Sequence, residues 1–392
     1  MNILLITDNH NINGGGAEKS FFLLKQALQQ GQDFQVHSLG FGTRAQAGND
    51  YTILKETPSL PLRLWWRMFF NPLKYFQIKK VIQTLNPDVI HLHNIRKYTI
   101  SLLRAVKGRR VVHTTHDFTS ICPTGWNIHE NFQLCQTGLT PSCIFRHKRK
   151  RNLILYIALL FAFFRMRKLL KSTVNLFISP SQVLQHYLQQ QNFTPAITIA
   201  PFLPEQKKMQ FERMQSNHFL YIGQLGKHKG VDRLIDEFAL ACQQHKNLML
   251  HIAGIGEEEK NLKQQVAAWQ LANNVIFHGW TDPEKLFAES AALIFPSIGL
   301  ESFGLVITEA MANARAVIGS NRGPTLTLVE NEKTGLLFDP LKKGDLAQKI
   351  ILIANNKSLA VTLGSQAYDK LRQFDSNESV LTKIIEAYNP KI

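Results

Sequence analysis

Short runs of uncharged aliphatic and β-branched residues recur along this chain, with three- and four-residue apolar spacings between them. The first run, Asn2 to Thr7, leads into a glycine loop at 14–16. A helix follows whose Ala17, Phe21, Leu24 and Leu28 fall on one face, and Gly31 ends it. Further strands are predicted at 36–39, 89–93, 111–115, 176–179 and 197–200. Residues 195–215 are polar and proline-bearing, and read as a linker. A second alternating set predicts strands at 219–222, 248–253, 275–277, 292–295 and 316–319, and roughly the last fifty residues read as helical. Alternation of strand and helix predicts parallel sheets covered on both faces. The expected architecture is α/β, with two doubly wound domains at 1–200 and 217–375, a linker at 201–216 and a C-terminal helix within 376–392.

Ligands of such sheets gather beyond the carboxyl ends of the strands. In the first domain that region holds Gly15 and Gly16, where backbone N–H groups can meet phosphate, and His93, His116 and Asp117 just past two strand ends. Lys19 stands where the third glycine of a dinucleotide fingerprint belongs, which argues against an oxidoreductase. In the second domain the run 291–295 closes at Pro296, a loop carries Glu301, and Gly304 permits close backbone approach. A helical pattern from about Phe303 puts Val306, Ala310 and Asn313 on one face, with Glu309 beside them. One carboxylate is thus expected at the mouth of a helix and the other about two turns inside. Phosphate would suit the helix N-terminus but repel a carboxylate, so each Glu suits sugar hydroxyls. The alternative is one loop Glu and one solvated helix Glu.

Length and composition fit two domains with full cores: 392 residues, 44% hydrophobic. The first residues have no basic stretch ahead of their apolar run, so no secretory signal is read, and four cysteines make no disulfide framework. The charge is one-sided. Residues 1–200 carry 24 Lys and Arg against 8 Asp and Glu, while residues 201–392 carry 21 against 21. A basic first half points to an anionic partner, nucleic acid or membrane.

The motifs, taken in order, are 13–18 (Asn-Gly-Gly-Gly-Ala-Glu), His91-Leu-His93, His113-Thr-Thr-His116-Asp117, 177–181 (Phe-Ile-Ser-Pro-Ser), 221–230 with Gly223, Gln224 and Lys229, Ala253-Gly254-Ile-Gly256, 277–280, and the stretch from Ile294 through Glu301 to Met311. Over nearly the whole chain this series resembles the family 4 glycosyltransferases. The resemblance implies the GT-B architecture of two Rossmann-like domains facing across a cleft, with the C-terminal helix crossing back to the first. It also implies a retaining transfer from a nucleotide sugar, needing no cofactor. Glu309 would hold the ribose, and Glu301 with Phe303, Gly304 and Leu305 the sugar and phosphates. Lys229 would neutralise the diphosphate, Gly15 and Gly16 would close on it, and Gly223 and Gln224 would line the donor site. His93, His116 and Asp117 would lie on the acceptor side, with His116 against the transferred sugar or acceptor, and residues 276–280 near the base. Asp-x-Asp does not occur, so lysine charge is expected in place of a metal. The chain departs from the family where Gln224 replaces Arg, Ala314 replaces Gly, and a double glycine becomes Gly323-Pro324. A sugar-nucleotide epimerase and a binding-only relative are the alternatives.

Two features lie outside this series. Cys122, Cys135, Cys143 and His147 have spacings open to zinc ligation or to reduced thiols in an ordered loop. Residues 153–164 form an uncharged run of about 18 Å as a helix, short of the roughly 30 Å of a bilayer core. The run reads as a core helix or as an interfacial segment, since basic residues flank it at 147–151 and 165–168. Trp65, Trp66, Phe69 and Phe70 with Lys74, Lys79 and Lys80 make a second basic–aromatic segment. Such interleaving can also stack on nucleic acid. Beside glycosyltransferase motifs the lipid reading is preferred: a cytoplasmic enzyme, peripheral on the inner face of the plasma membrane, with a saccharide or polyprenyl-linked acceptor from envelope polysaccharide or lipopolysaccharide synthesis.

Overall fold

The computed structural model describes residues 1–8, 15–31, 33–42, 50–54, 69–95, 99–123, 125–128, 133–135, 143 and 153–389. They form two units, Met1–Phe202 with Asn377–Ile392, and Leu203–Ser376.

The first unit is built on seven parallel strands, β1 (Asn2–Thr7), β2 (Gln35–Gly42), β3 (Tyr51–Leu54), β4 (Val89–Leu92), β5 (Val111–Thr114), β6 (Leu176–Ser179) and β7 (Ala196–Thr198), in the order β3-β2-β1-β4-β5-β6-β7. The order reverses at β1, which pairs with both β2 and β4, so β1 and β4 flank a topological switch point. Ile3, Leu4, Leu5 and Ile6 are wholly buried because helices cover both faces. One cover is α1 (Gly16–Gln30), whose Phe21, Leu24 and Leu28 pack with Ile3 and Leu5 as the apolar spacing predicts. Val380, Ile384 and Tyr388 of the helix Asn377–Tyr388 join the same core. Each fully buried side chain of this kind contributes roughly 1.5–3 kcal/mol. Two polar ties add register: His91 Nδ1 lies 2.8 Å from the Tyr388 hydroxyl, and Arg110 donates to the carbonyls of Ala387 and Asn389.

The second unit repeats the pattern with six parallel strands, β8 (Gln215–Ile222), β9 (Met249–Ala253), β10 (Val275–Gly279), β11 (Ser290–Phe295), β12 (Ala316–Ser320) and β13 (Leu336–Phe338), ordered β10-β9-β8-β11-β12-β13. Here β8 and β11 flank the switch point. Phe219, Tyr221, Leu250 and Ile252 face the core. Strand alternation puts His218 and His251 on the opposite face. There His251 bridges His218 (3.1 Å) and His278 (3.0 Å) through its two ring nitrogens.

Three expectations need revision. Residues 203–214 are irregular but are no detached linker: Met214 is buried in the second core, Lys207 N–H donates to the Ala312 carbonyl, and Gln206 donates to the Tyr368 carbonyl. β3 and β13, edge strands of four and three residues, were not predicted. The apolar run at 153–164 continues into a 21-residue helix, Leu153–Thr173. Among the described residues no helix is long and apolar enough to cross a membrane. This helix buries Leu160, Arg167 and Leu170, while Ile157, Phe161, Phe164, Lys168 and Lys171 are exposed at the four- and three-residue steps of a single stripe. Residues 65, 66 and 147–151 lie outside the described residues.

Candidate functional site

Three loops leave the carboxyl ends of the strands of the second sheet, and tight backbone contacts lock them together. The turn after β8, Gly223 to Gly226, lies against the turn after β9. A Cβ on Gly254 would stand 1.8 Å from the Gly223 carbonyl oxygen, so only glycine allows this approach. A one-turn helix, Lys227–Lys229, then ends at Gly230 with φ 69°, where a Cβ would meet the Pro296 carbonyl at 2.3 Å. That contact brings the turn onto the loop after β11. The His228 carbonyl accepts from both Ile298 N–H and Gly299 N–H at 3.0 Å, and Arg322 donates to the Ile298 carbonyl.

The locked loops set Lys229 beside Glu301. The Lys229 ammonium donates to Glu301 Oε1 at 2.7 Å, and the Ser297 hydroxyl donates to the same oxygen at 2.6 Å. Burial alone would raise the Glu301 carboxyl. The Lys229 charge, the hydrogen bonds from Lys229 and Ser297, and His228 outweigh it and hold the pKa below its ordinary value. Glu301 is therefore ionised at neutral pH. Among the described residues nothing bonds its Oε2, which can accept from a ligand hydroxyl. Lys229 keeps two further N–H directions for an anion.

Phe303 is buried, and Gly304, with φ 96°, precedes the helix Leu305–Ala312. The helix thus begins two residues later than expected, because Gly304 is in a left-handed conformation. Glu309 is its fifth residue, one turn inside rather than two, and is partly exposed. Gln224 is exposed. Its carbonyl accepts from the Tyr221 hydroxyl, while Lys227, 69% exposed in its side chain, lies 4.0 Å from Glu258.

In the first unit β4 and β5 are neighbours, and His93 and His116 follow them. His93 Nδ1 and His116 Nε2 are 2.9 Å apart in stacked rings. Burial, joined by the neighbouring imidazoles, lowers His91 and His93 well below the ordinary histidine range. Burial and His116 lower His113 to about 3, and burial lowers His116 to about 4. All four are neutral at pH 7. Gly15 caps α1 and Gly16 opens it, near Glu18, which accepts from the Asn94 side chain at 3.1 Å. Gly14 lies outside the described residues. Asp117 caps the one-turn helix Phe118–Ser120 by accepting from the Thr119 backbone N–H and hydroxyl, so it has a structural task at this strand end.

Cys122, Cys135 and Cys143 are buried, and none of the four cysteines forms a disulfide. Among the described residues no group of three or more His, Cys, Asp or Glu is placed to hold a metal ion. His147 lies outside those residues.

The sequence matches the profile described as "Glycosyltransferase Family 4" over residues 14–201 and that described as "Glycosyl transferases group 1" over residues 204–370. The chain belongs to the family 4 glycosyltransferases. The poly(ribitol-phosphate) alpha-N-acetylglucosaminyltransferase of Staphylococcus aureus (strain COL) is 28% identical over 43% of this glycosyltransferase chain and 34% of its own. The capsular polysaccharide biosynthesis glycosyltransferase CapM of Staphylococcus aureus is 26% identical over 46% of this chain and 48% of its own. The chain thus spans half or less of the curated relatives it matches. Among solved structures, Anabaena HepE in complex with UDP aligns with a TM-score of 0.69 at 21% identity, over 99% of both chains. A Staphylococcus aureus TarM variant solved with fondaparinux, alpha-GlcNAc-glycerol and UDP aligns with a TM-score of 0.73 at 16% identity, again over 99% of both. These likenesses place the glycosyltransferase in the GT-B fold.

Sequence reasoning assigned no role to Ser297, although it lies within the Glu301 stretch. Its position four residues before Glu301, just after a strand-ending Pro296, was the available signal. Nothing local foretold the Lys229–Glu301 pair, whose members are 72 residues apart in sequence.

Proposed function

We propose that this chain is a retaining glycosyltransferase that moves a hexosyl or N-acetylhexosaminyl unit from a nucleotide sugar to a saccharide acceptor in envelope polysaccharide biosynthesis. The observation that carries the reading is the Lys229–Glu301–Ser297 cluster at the carboxyl ends of β8 and β11, where α/β sheets take their ligands. Departure of a nucleoside diphosphate builds negative charge on its terminal phosphate. A pre-positioned ammonium meets that charge without reorganisation, which is how electrostatic stabilisation lowers a barrier. Glu301 holds Lys229 in place through Oε1 and offers Oε2 to a sugar hydroxyl, while Glu309 accepts from the ribose. His116 contacts the transferred sugar or the acceptor. The reading requires no cofactor, and the neighbours solved with UDP favour a uridine nucleotide as first probe.

A thermal-shift screen of UDP-, GDP-, ADP- and dTDP-sugars, followed by transfer assays with the stabilising donor, tests this. Stabilisation followed by transfer supports the proposal. Binding without turnover would make the chain a binding-only relative. Glu309→Ala is expected to weaken donor affinity roughly ten- to hundredfold, since a charge-assisted hydrogen bond contributes about 1.5–3 kcal/mol. Titration of both proteins with the nucleotide sugar checks this, and equal affinity would remove Glu309 from the ribose.

The acceptor is proposed to be lipid-linked, with the enzyme held on the anionic inner leaflet, as in lipopolysaccharide assembly. The stripe of Ile157, Phe161 and Phe164 continuing into Lys168 and Lys171 supports this, because apolar side chains can enter the headgroup boundary with cations over anionic lipid. Binding to anionic vesicles should weaken in high salt without vanishing. Equal binding to neutral and anionic vesicles, or preference for single-stranded nucleic acid, would refute the membrane part alone.

A further inference from the structure

His93 and His116 make a contact whose chemistry fixes more than position. His93 is 2% exposed, and its backbone N–H donates to the Ile6 carbonyl at 2.8 Å, so its ring is held by the sheet. Its Nδ1 lies 2.9 Å from His116 Nε2. Two neutral imidazoles form such a bond only when one nitrogen carries a proton and the other a lone pair. If the proton belonged to His116 Nε2, His93 would carry its own on Nε2. That nitrogen is buried and has no hydrogen-bond partner among the described residues. An orphaned buried N–H is rarer in proteins than an under-used acceptor, which favours the other arrangement.

We infer that His93 is a positioning residue that donates through Nδ1 to His116 Nε2 and so fixes His116 as the Nδ1–H tautomer, a hydrogen-bond donor rather than a base. The inference rests on the reading above only in assigning the ligand. Nothing among the described residues bonds His116 Nδ1, and the residue is partly exposed. The nitrogen left to a ligand thus carries a hydrogen, and the basic nitrogen is committed to His93. His116 can donate to an oxygen of the transferred sugar or of the acceptor, such as a hydroxyl or ring oxygen. It cannot take the acceptor's proton at that nitrogen. The step assigned to it is therefore hydrogen-bond donation, with no proton transferred to or from His116.

Histidine-labelled protein read by long-range 1H–15N correlation at pH 7.5 tests this without any substrate, with His116→Gln used to assign the signal. The wild type should show His116 protonated at Nδ1 and bare at Nε2. His93→Phe removes the donor and should shift His116 toward the Nε2–H form that unconstrained imidazole prefers. It should also lower kcat about tenfold with little change in donor KM. His93→Asn, whose amide can donate, should restore the Nδ1–H form and most of the turnover. His116 protonated at Nε2 in the wild type, which would put the His93 proton on its unpartnered Nε2, overturns the inference. So does an unchanged tautomer in His93→Phe. If the tautomers behave as expected while no sugar nucleotide supports transfer, the assignment of function fails and the tautomer assignment stands.

Discussion

Replacing Lys229 by Ala is expected to lower kcat by roughly a hundred- to a thousandfold, the loss seen when one pre-positioned donor to a developing oxyanion is removed. The effect has two sources. The diphosphate loses its ammonium, and Glu301 loses the charge that does most to hold its carboxyl low, leaving it partly buried and bonded only by Ser297 among the described residues. The fraction of Glu301 that stays ionised repels an arriving phosphate, so KM should rise along with the fall in kcat. The double variant Lys229→Ala with Glu301→Gln removes that repulsion. It should recover part of the KM defect while kcat stays low, so the two losses should not add. Steady-state kinetics with saturating acceptor separates the terms. Wild-type kinetics in Lys229→Ala would place the leaving group away from the β8 and β11 loops.

Acidification should weaken the first unit well above the range in which carboxylates protonate. The unfolded chain titrates histidine near its ordinary value of about 6.5. In the folded chain burial, with help from neighbouring imidazoles, keeps His91 and His93 far below that value and His113 at about 3. Above about pH 6.5 both states are neutral and stability is fully present. As pH falls below that value the unfolded chain binds protons that the folded chain refuses, so stability is lost down to the folded values. At pH 5, His113 alone accounts for about 2 kcal/mol of loss, from 1.5 pH units at about 1.4 kcal/mol each. His91 and His93 act in the same direction, and partly exposed His116 adds a smaller share. A domain's whole stability is only about 5–15 kcal/mol. Urea unfolding followed by circular dichroism at pH 7.5 and pH 5.0 should therefore show a large drop in midpoint. Coinciding midpoints would mean that the imidazole cluster is reached by protons without unfolding.

The strands that surround both switch points were legible because each is a short apolar run bounded by turn residues, and their alternation with helical spacing implied parallel sheets. What escaped the sequence was contact across strands. His93 and His116 are recognisable as strand-end histidines, but their bond requires β4 and β5 to be neighbours. Lys229 and Glu301 were each assigned to the donor site for separate partners, one for phosphate and one for sugar, whereas the fold pairs them. The helical start at Phe303 was misplaced because apolar spacing continues through Gly304 while the backbone does not. The capping task of Asp117 was legible as well, since Thr119 two residues later is a common capping arrangement.

The helix Asn377–Tyr388 completes the core begun by β1, yet the whole of Leu203–Ser376 is encoded between them. The ribosome therefore synthesises the second unit in full before the first can finish. Until Val380, Ile384 and Tyr388 emerge, their places beside α1 and β4 are unfilled, and His91 is bonded only to Thr114 among the described residues. The second unit can mature while the first is still incomplete, so a chain truncated after residue 376 should carry a folded second unit on an unfinished first one.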